Sequence, residues 1–179
     1  MLFRSLRREN DLVDFNRNWF DYKVGFGNLR GNFWWGNENL AAALADGRLY
    51  TLRVDLLDWD DQARYAKYTH FRVAGSNDNY RLNVAEYSGA AGDSLGDHDD
   101  FQFCTHDSSC ASPRGRCAST YGGGFWFSRS CYSAMLTAPY RRTATPSNGK
   151  NGIEWGGWRG FDYSLKKVDM KFRATSPAA

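Results

Sequence analysis

The chain has 179 residues, enough for one domain with a real core and too few for two comfortable ones. Its 23 basic and 20 acidic residues leave a net charge of +3. The basic ones are scattered in sequence apart from Arg4, Arg7 and Arg8 and the pair Arg141 and Arg142, so no nucleic-acid binding is expected.

Aromatic residues reach 16%, with 18 Gly and only 4 Pro, which predicts a loop-rich fold whose core is built from rings. From Asp14 to Lys23 the aromatics Phe15, Trp19 and Tyr22 fall at helical spacing, with Asp11 or Asp14 as the cap and Gly25 and Gly27 as the stop. A second short helix is expected over Asn39–Ala45. Tyr50–Leu56 alternates, with Leu52, Val54 and Leu56 on one side, and reads as a half-buried strand. The acidic turn Asp58-Trp59-Asp60-Asp61 leads to a strand over Ala63–Val73, and a polar turn leads to another over Tyr80–Val84, completing an antiparallel meander. From Gly89 to about Asn151 there is little clean periodicity. A stretch of that length belongs in a compact domain only if it is functional and pinned. Val168, Met170 and Phe172 alternate again as a closing strand, and residues 174–179 read as a frayed tail. No apolar run approaches the roughly 20 residues that span a bilayer, so no membrane insertion is expected. Met1–Arg8 is too charged for a signal peptide.

The four cysteines, Cys104, Cys110, Cys117 and Cys131, all lie in the irregular region, and three pairings are open. Their gaps do not match CxxC zinc hooks, and only His106 stands near them, so two disulfides in an oxidising compartment are favoured over a zinc site. No enzyme is expected. His70 sits in a strand, His98 lies among Asp97, Asp99 and Asp100 in what reads as a solvated turn, and Ser133 and Ser164 lack a nucleophile motif.

Five segments, in order, resemble the fibrinogen C-terminal domain family, which includes fibrinogen chains, ficolins, tachylectins, angiopoietins and tenascins. They are Val13–Lys23 running into Gly25-Phe26-Gly27-Asn28, Gly31–Asn37, Leu52–Leu56, Tyr87–Leu95, and Asn151–Trp155 followed by Trp158, Gly160, Tyr163–Lys166 and Met170–Arg173. The resemblance implies an α+β fold: short helices and a twisted antiparallel sheet, then a loop-rich, disulfide-stapled C-terminal subdomain. It places the domain at 13–173 and makes 1–12 a remnant of a truncated N-terminal subdomain. It also predicts an exposed sheet edge where that subdomain's strands are missing.

In that family two Asp side chains and backbone carbonyls hold a calcium ion in the loop before the second disulfide. Those two positions fall on Ser109 and Ala111 here, and only Asp107 is acidic, so the resemblance predicts a lost calcium site and no cofactor. A Cys104–Cys110 bridge is expected to order the loop instead, with two free thiols as the alternative. Cys117 and Cys131 match the family's disulfide. Beside it, acetyl-binding members carry an aromatic funnel and a cis peptide before the second cysteine, which maps to Ser130–Cys131. The resemblance therefore points to Tyr121, Phe125, Trp126, Ser130, Cys131, Tyr132 and Phe161 as ligand-binding residues. Tyr132 replaces a usual His, and Gly149-Lys150 replaces a usual Tyr-Ala. The expected function is secreted, extracellular recognition of acetylated glycans or similar acyl groups, lectin-like and innate-immune. The alternative is a module binding a protein receptor or matrix partner. Oligomerisation would need segments outside this chain.

Overall fold

The computed structural model describes residues 1–108, 110, 114–145 and 152–175. The calcium-loop positions Ser109 and Ala111, the rim residues Gly149 and Lys150, and the tail beyond Thr175 lie outside the described residues.

Alternation builds the sheet. Strand β4 (Tyr50–Leu57) buries Leu52, Val54 and Leu56, and β9 (Lys167–Ala174) buries Val168, Met170 and Phe172. The antiparallel register sets Leu52 against Phe172, Val54 against Met170 and Leu56 against Val168, so the two apolar rows face one another pair by pair. β5 (Ala63–Val73) and β6 (Leu82–Gly89) continue the meander on one side. The expected third strand thus starts at Leu82 and not at Tyr80, whose φ of +51° breaks the extended chain.

On the other side of β9 lies β1 (Leu2–Arg8), which pairs with both β9 and β3 (Phe33–Trp34). With β2 (Phe26–Gly27) the order is β2-β3-β1-β9-β4-β5-β6, antiparallel throughout. Residues 2–8, which fall in the segment expected as a remnant ahead of residue 13, form an interior strand of the sheet. Four polar or charged residues hide β1 in the sequence, and in the fold distant groups meet three of them: Asp169 pairs with Arg4, the Met170 carbonyl accepts from Ser5, and the Leu136 and Ala138 carbonyls accept from Arg8. Among the described residues the sheet ends on the two-residue β2 and on β6.

Helix α1 (Trp19–Val24) starts later than the spacing predicts. Asn18 caps it by accepting from the Asp21 amide at 2.9 Å, whereas Asp14 is spent on an Asx turn with the Asn16 amide. The expected apolar face survives this shift: Phe15 and Tyr22 are both buried, and the Tyr22 hydroxyl donates to the Phe15 carbonyl. Helix α2 (Asn37–Ala43) follows, burying Leu40 and Ala41. The chain crosses itself at Gly25 and Gly36, with φ of +95° and +103°. A Cβ at either would lie 2.7 Å from a carbonyl oxygen of the other segment.

The irregular region is more ordered than its composition suggests. It holds helix α3 (Arg114–Tyr121), a ribbon of β7 (Ala134–Met135) and β8 (Glu154–Trp155), and the single turn α4 (Gly156–Arg159). Its core is made of rings: Phe103 lies 5.2 Å from Tyr22, 5.6 Å from Trp34 and 5.2 Å from Trp126. No helix among the described residues is long and apolar enough to cross a membrane.

Candidate functional site

Both disulfides join the expected partners, Cys104 to Cys110 and Cys117 to Cys131. The second ties α3 to a tight turn in which the Ser128 amide donates to the Cys131 carbonyl at 2.9 Å and the Cys131 amide returns to Ser128 at 3.2 Å. That turn pushes Arg129 and Ser130 into solvent. Cys131 takes a left-handed φ of +76°, a conformation that costs a non-glycine residue of order 1 kcal/mol and persists only where its surroundings hold it.

Next to the bridge stands a file of three rings. Tyr121 meets Tyr132 edge-on at 4.7 Å, and Tyr132 meets Phe161 edge-on at 5.8 Å. Tyr132 is only 7% exposed, and its hydroxyl donates to buried Glu154 at 2.7 Å. Burial, reinforced by the Glu154 carboxylate, pushes that hydroxyl well above the usual tyrosine range. Phe161, 38% exposed, leans over Gly156, where a Cβ would come within 2.6 Å of its ring.

The structure brings Tyr121, Ser130, Cys131, Tyr132 and Phe161 together and separates two others from them. Phe125 and Trp126 have no exposed surface. The Phe125 ring packs edge-on against His98 at 5.1 Å, and the Trp126 indole donates to the Tyr80 carbonyl at 2.7 Å. These two, expected to line a ligand pocket, are instead placed by the structure in the core behind the turn.

His98 is the residue that sequence reasoning misplaced. It is fully buried, not in a solvated turn. Its Nδ1 lies 2.7 Å from the Trp126 carbonyl, and its Nε2 lies 3.1 Å from the Ser133 amide and 3.0 Å from the Ala134 amide. An amide can only donate, so Nε2 accepts twice and the proton sits on Nδ1. Burial lowers its pKa to about 4, which keeps the ring neutral and suited to this role. Both nitrogens are committed, leaving none for general-base chemistry. The flanking Asp97, Asp99 and Asp100 mask this burial, because they mark the segment as a solvated turn.

In the loop before the second disulfide, the Asp107 carboxylate accepts from the Trp19 amide at the start of α1 (2.9 Å) and from the Thr105 hydroxyl (2.7 Å). Partial burial works against the charge, but those two hydrogen bonds outweigh it and hold Asp107 below the ordinary carboxylate range. Asp107 is thus a helix cap supplied from a distant loop. Among the described residues no group of three His, Cys, Asp or Glu side chains converges as a metal site would require.

The family model for the C-terminal globular domain of fibrinogen beta and gamma chains matches residues 2–175. The chain belongs to the fibrinogen C-terminal domain family. This fibrinogen-like domain is 40% identical to fibrinogen-like protein 1 of Bos taurus, over 93% of its own length and 57% of that relative's. It superposes on the fibrinogen-like globe domain of human ANGPTL6 with a TM-score of 0.92 and 34% identity, covering 97% of this chain and 78% of that one. A lamprey fibrin D-dimer complexed with the peptide Gly-His-Arg-Pro-amide matches with a TM-score of 0.86 and 29% identity, covering 98% and 64%.

Proposed function

We propose that this fibrinogen-like domain is an extracellular, non-catalytic recognition module whose partner is a protein, bound on the ledge formed by Tyr121, Ser130, Cys131, Tyr132 and Phe161. The observation that carries this reading is the way the rings are spent. Tyr132 stands between Tyr121 and Phe161 and ties its hydroxyl to Glu154, so among the described residues these three rings pack edge-on against one another. An acetyl group needs an enclosing apolar pocket with donors for its oxygen. A shallow ledge with an exposed aromatic, Phe161, and a protruding Arg129-Ser130 turn suits a polypeptide surface better. The peptide held by the lamprey relative supports a polypeptide ligand, and the similarity to fibrinogen-like protein 1 and to an angiopoietin-like globe supports an extracellular setting. The two disulfides agree with that setting. Acetylated-glycan recognition is the second reading, kept because Tyr121 and Phe161 remain partly accessible. We further propose that the Cys104–Cys110 bridge and the Asp107 cap order their loop without calcium.

Labelled chain binding to intact cells or matrix distinguishes the two. Protein recognition predicts binding that protease treatment of the surface abolishes, that N-acetylglucosamine does not compete, and that the pair Phe161→Ala and Ser130→Arg weakens. Retention on acetylated resin with elution by N-acetylglucosamine would establish the glycan reading instead.

A further inference from the structure

A second surface lies on the solvent face of the sheet. Basic residues that are far apart in sequence meet there through strand register. Lys67 on β5 stands opposite Arg53 on β4, Arg53 opposite Lys171 on β9, and Lys171 opposite Arg4 on β1. Four cations therefore form one row across four adjacent strands, about 14 Å long at the usual strand spacing. Arg173, one row along, sits opposite Thr51 and Leu2.

Like charges directly opposite one another destabilise a sheet, so such a row costs stability unless something neutralises it. The neutralisation is partial. Asp55 is shared between Arg53 and Lys171, at 2.7 Å from each, and Asp169 takes Arg4 at 3.1 Å. Lys67 and Arg173 have no carboxylate partner among the described residues. Five cations against two carboxylates leave a surplus of three, which equals the net charge of the whole chain. The face also forms a shallow open depression of about 600 Å³, lined by Arg53, Tyr65, Lys67, Lys171 and Arg173 among others.

We propose that this face binds a linear sulfated polysaccharide laid across the strands. The charge spacing offers successive sulfates one cation each, and Lys67 and Arg173 carry the uncompensated charge. A flat cationic face suits a polymer of dispersed anionic groups. Nucleic acid fits less well, because single strands rely on free rings for base stacking, and the one ring here, Tyr65, lies under the Arg53 guanidinium at 4.1 Å. Five of the 23 basic residues, scattered in sequence, are thus gathered by the fold onto one face that shares no residue with the aromatic ledge.

The test uses the full chain and heparin as the probe. Binding to heparin is measured at near-physiological salt beside desulfated heparin and a duplex DNA. Sulfate-dependent binding is expected, and the double variant Lys67→Ser, Arg173→Ser should weaken it about tenfold. A control double variant, Arg30→Ser, Arg72→Ser, removes the same charge elsewhere and should change it less than twofold. Equal losses in both variants, equal binding to desulfated heparin, or tighter binding to the DNA would overturn the proposal. Both variants alter partly or fully exposed side chains, and circular dichroism verifies that each remains folded.

Discussion

His98 shows how one side chain can hold the disulfide turn, and with it the proposed recognition surface, from behind. Its two nitrogens fix three backbone groups, at Trp126, Ser133 and Ala134, that flank the disulfide turn on both sides. Removing the ring takes their partner from the buried Ala134 amide, the half-buried Ser133 amide and the Trp126 carbonyl, and each such loss costs about 1–3 kcal/mol where the group is buried. His98→Ala is therefore expected to lose at least about 3 kcal/mol in urea denaturation. The same residue predicts a pH dependence. Its folded pKa, about 4, lies below the unfolded value of 6.5, so between these values the unfolded chain binds a proton that the native chain refuses. Stability is then highest above pH 6.5 and falls as the pH drops towards 4, by roughly 3 kcal/mol in all. Carboxylates held down by partners, such as Asp58 beside Arg159, lose their contribution at still lower pH. A comparison with His98→Gln separates the two effects. The variant should show a flatter melting temperature between pH 6.5 and 4, and an unchanged slope there would remove His98 as the cause.

At the scale of elements, order in the irregular region comes from cross-links and not from local propensity. Helix α3 carries no apolar stripe and includes a glycine, so nothing in its own sequence marks it as a helix. It is held at Cys117 through the bridge to Cys131, which closes a segment of sequence separation 14, while Cys104–Cys110 closes one of 6. Chain entropy assigns about 3 kcal/mol to the longer loop and about 2 kcal/mol to the shorter. Reduction is accordingly expected to lower the melting temperature substantially, and Cys104→Ala with Cys110→Ala should cost about 2 kcal/mol. A chelator should leave the oxidised protein's melting temperature unchanged, and a clear drop would restore calcium to the loop. These elements also mark where the sequence was legible. Strands β4, β5 and β9 could be read because their residues alternate against a single core face. The disulfide-side site was legible only as a set of residues near Cys131. Which rings are accessible depends on packing between distant segments, and so Phe125 and Trp126 could not be told from Tyr121 and Phe161 by sequence alone.

Over the whole molecule, β1 joins the two ends of the chain to the loop-rich part, and Arg8 is the main rivet. Its backbone lies in the sheet opposite Val168, while its buried guanidinium donates to the carbonyls of Leu136 at 3.1 Å and Ala138 at 2.6 Å and stacks 3.9 Å from the Phe15 ring. Burial lowers its pKa to about 10, which leaves it charged at neutral pH. A strand so rich in charge is hard to recognise from sequence, because its cation is satisfied by groups some 130 residues away. Its energetic role follows from the same contacts. Arg8→Met keeps an unbranched chain of similar reach but strips both carbonyls of their charged donor, and is expected to cost about 3 kcal/mol. For a domain of this size that corresponds to a drop of about 10 °C in melting temperature. Arg4→Gln, on the same strand, removes the half-exposed partner of Asp169 on β9 but keeps a hydrogen-bond donor there, and should cost clearly less than Arg8→Met, about 1 kcal/mol. If the two variants melted alike, the sheet and the loop-rich part would not be coupled through Arg8. The expected tenfold or larger gap in their unfolding constants would instead place the molecule's cooperativity on this buried cation.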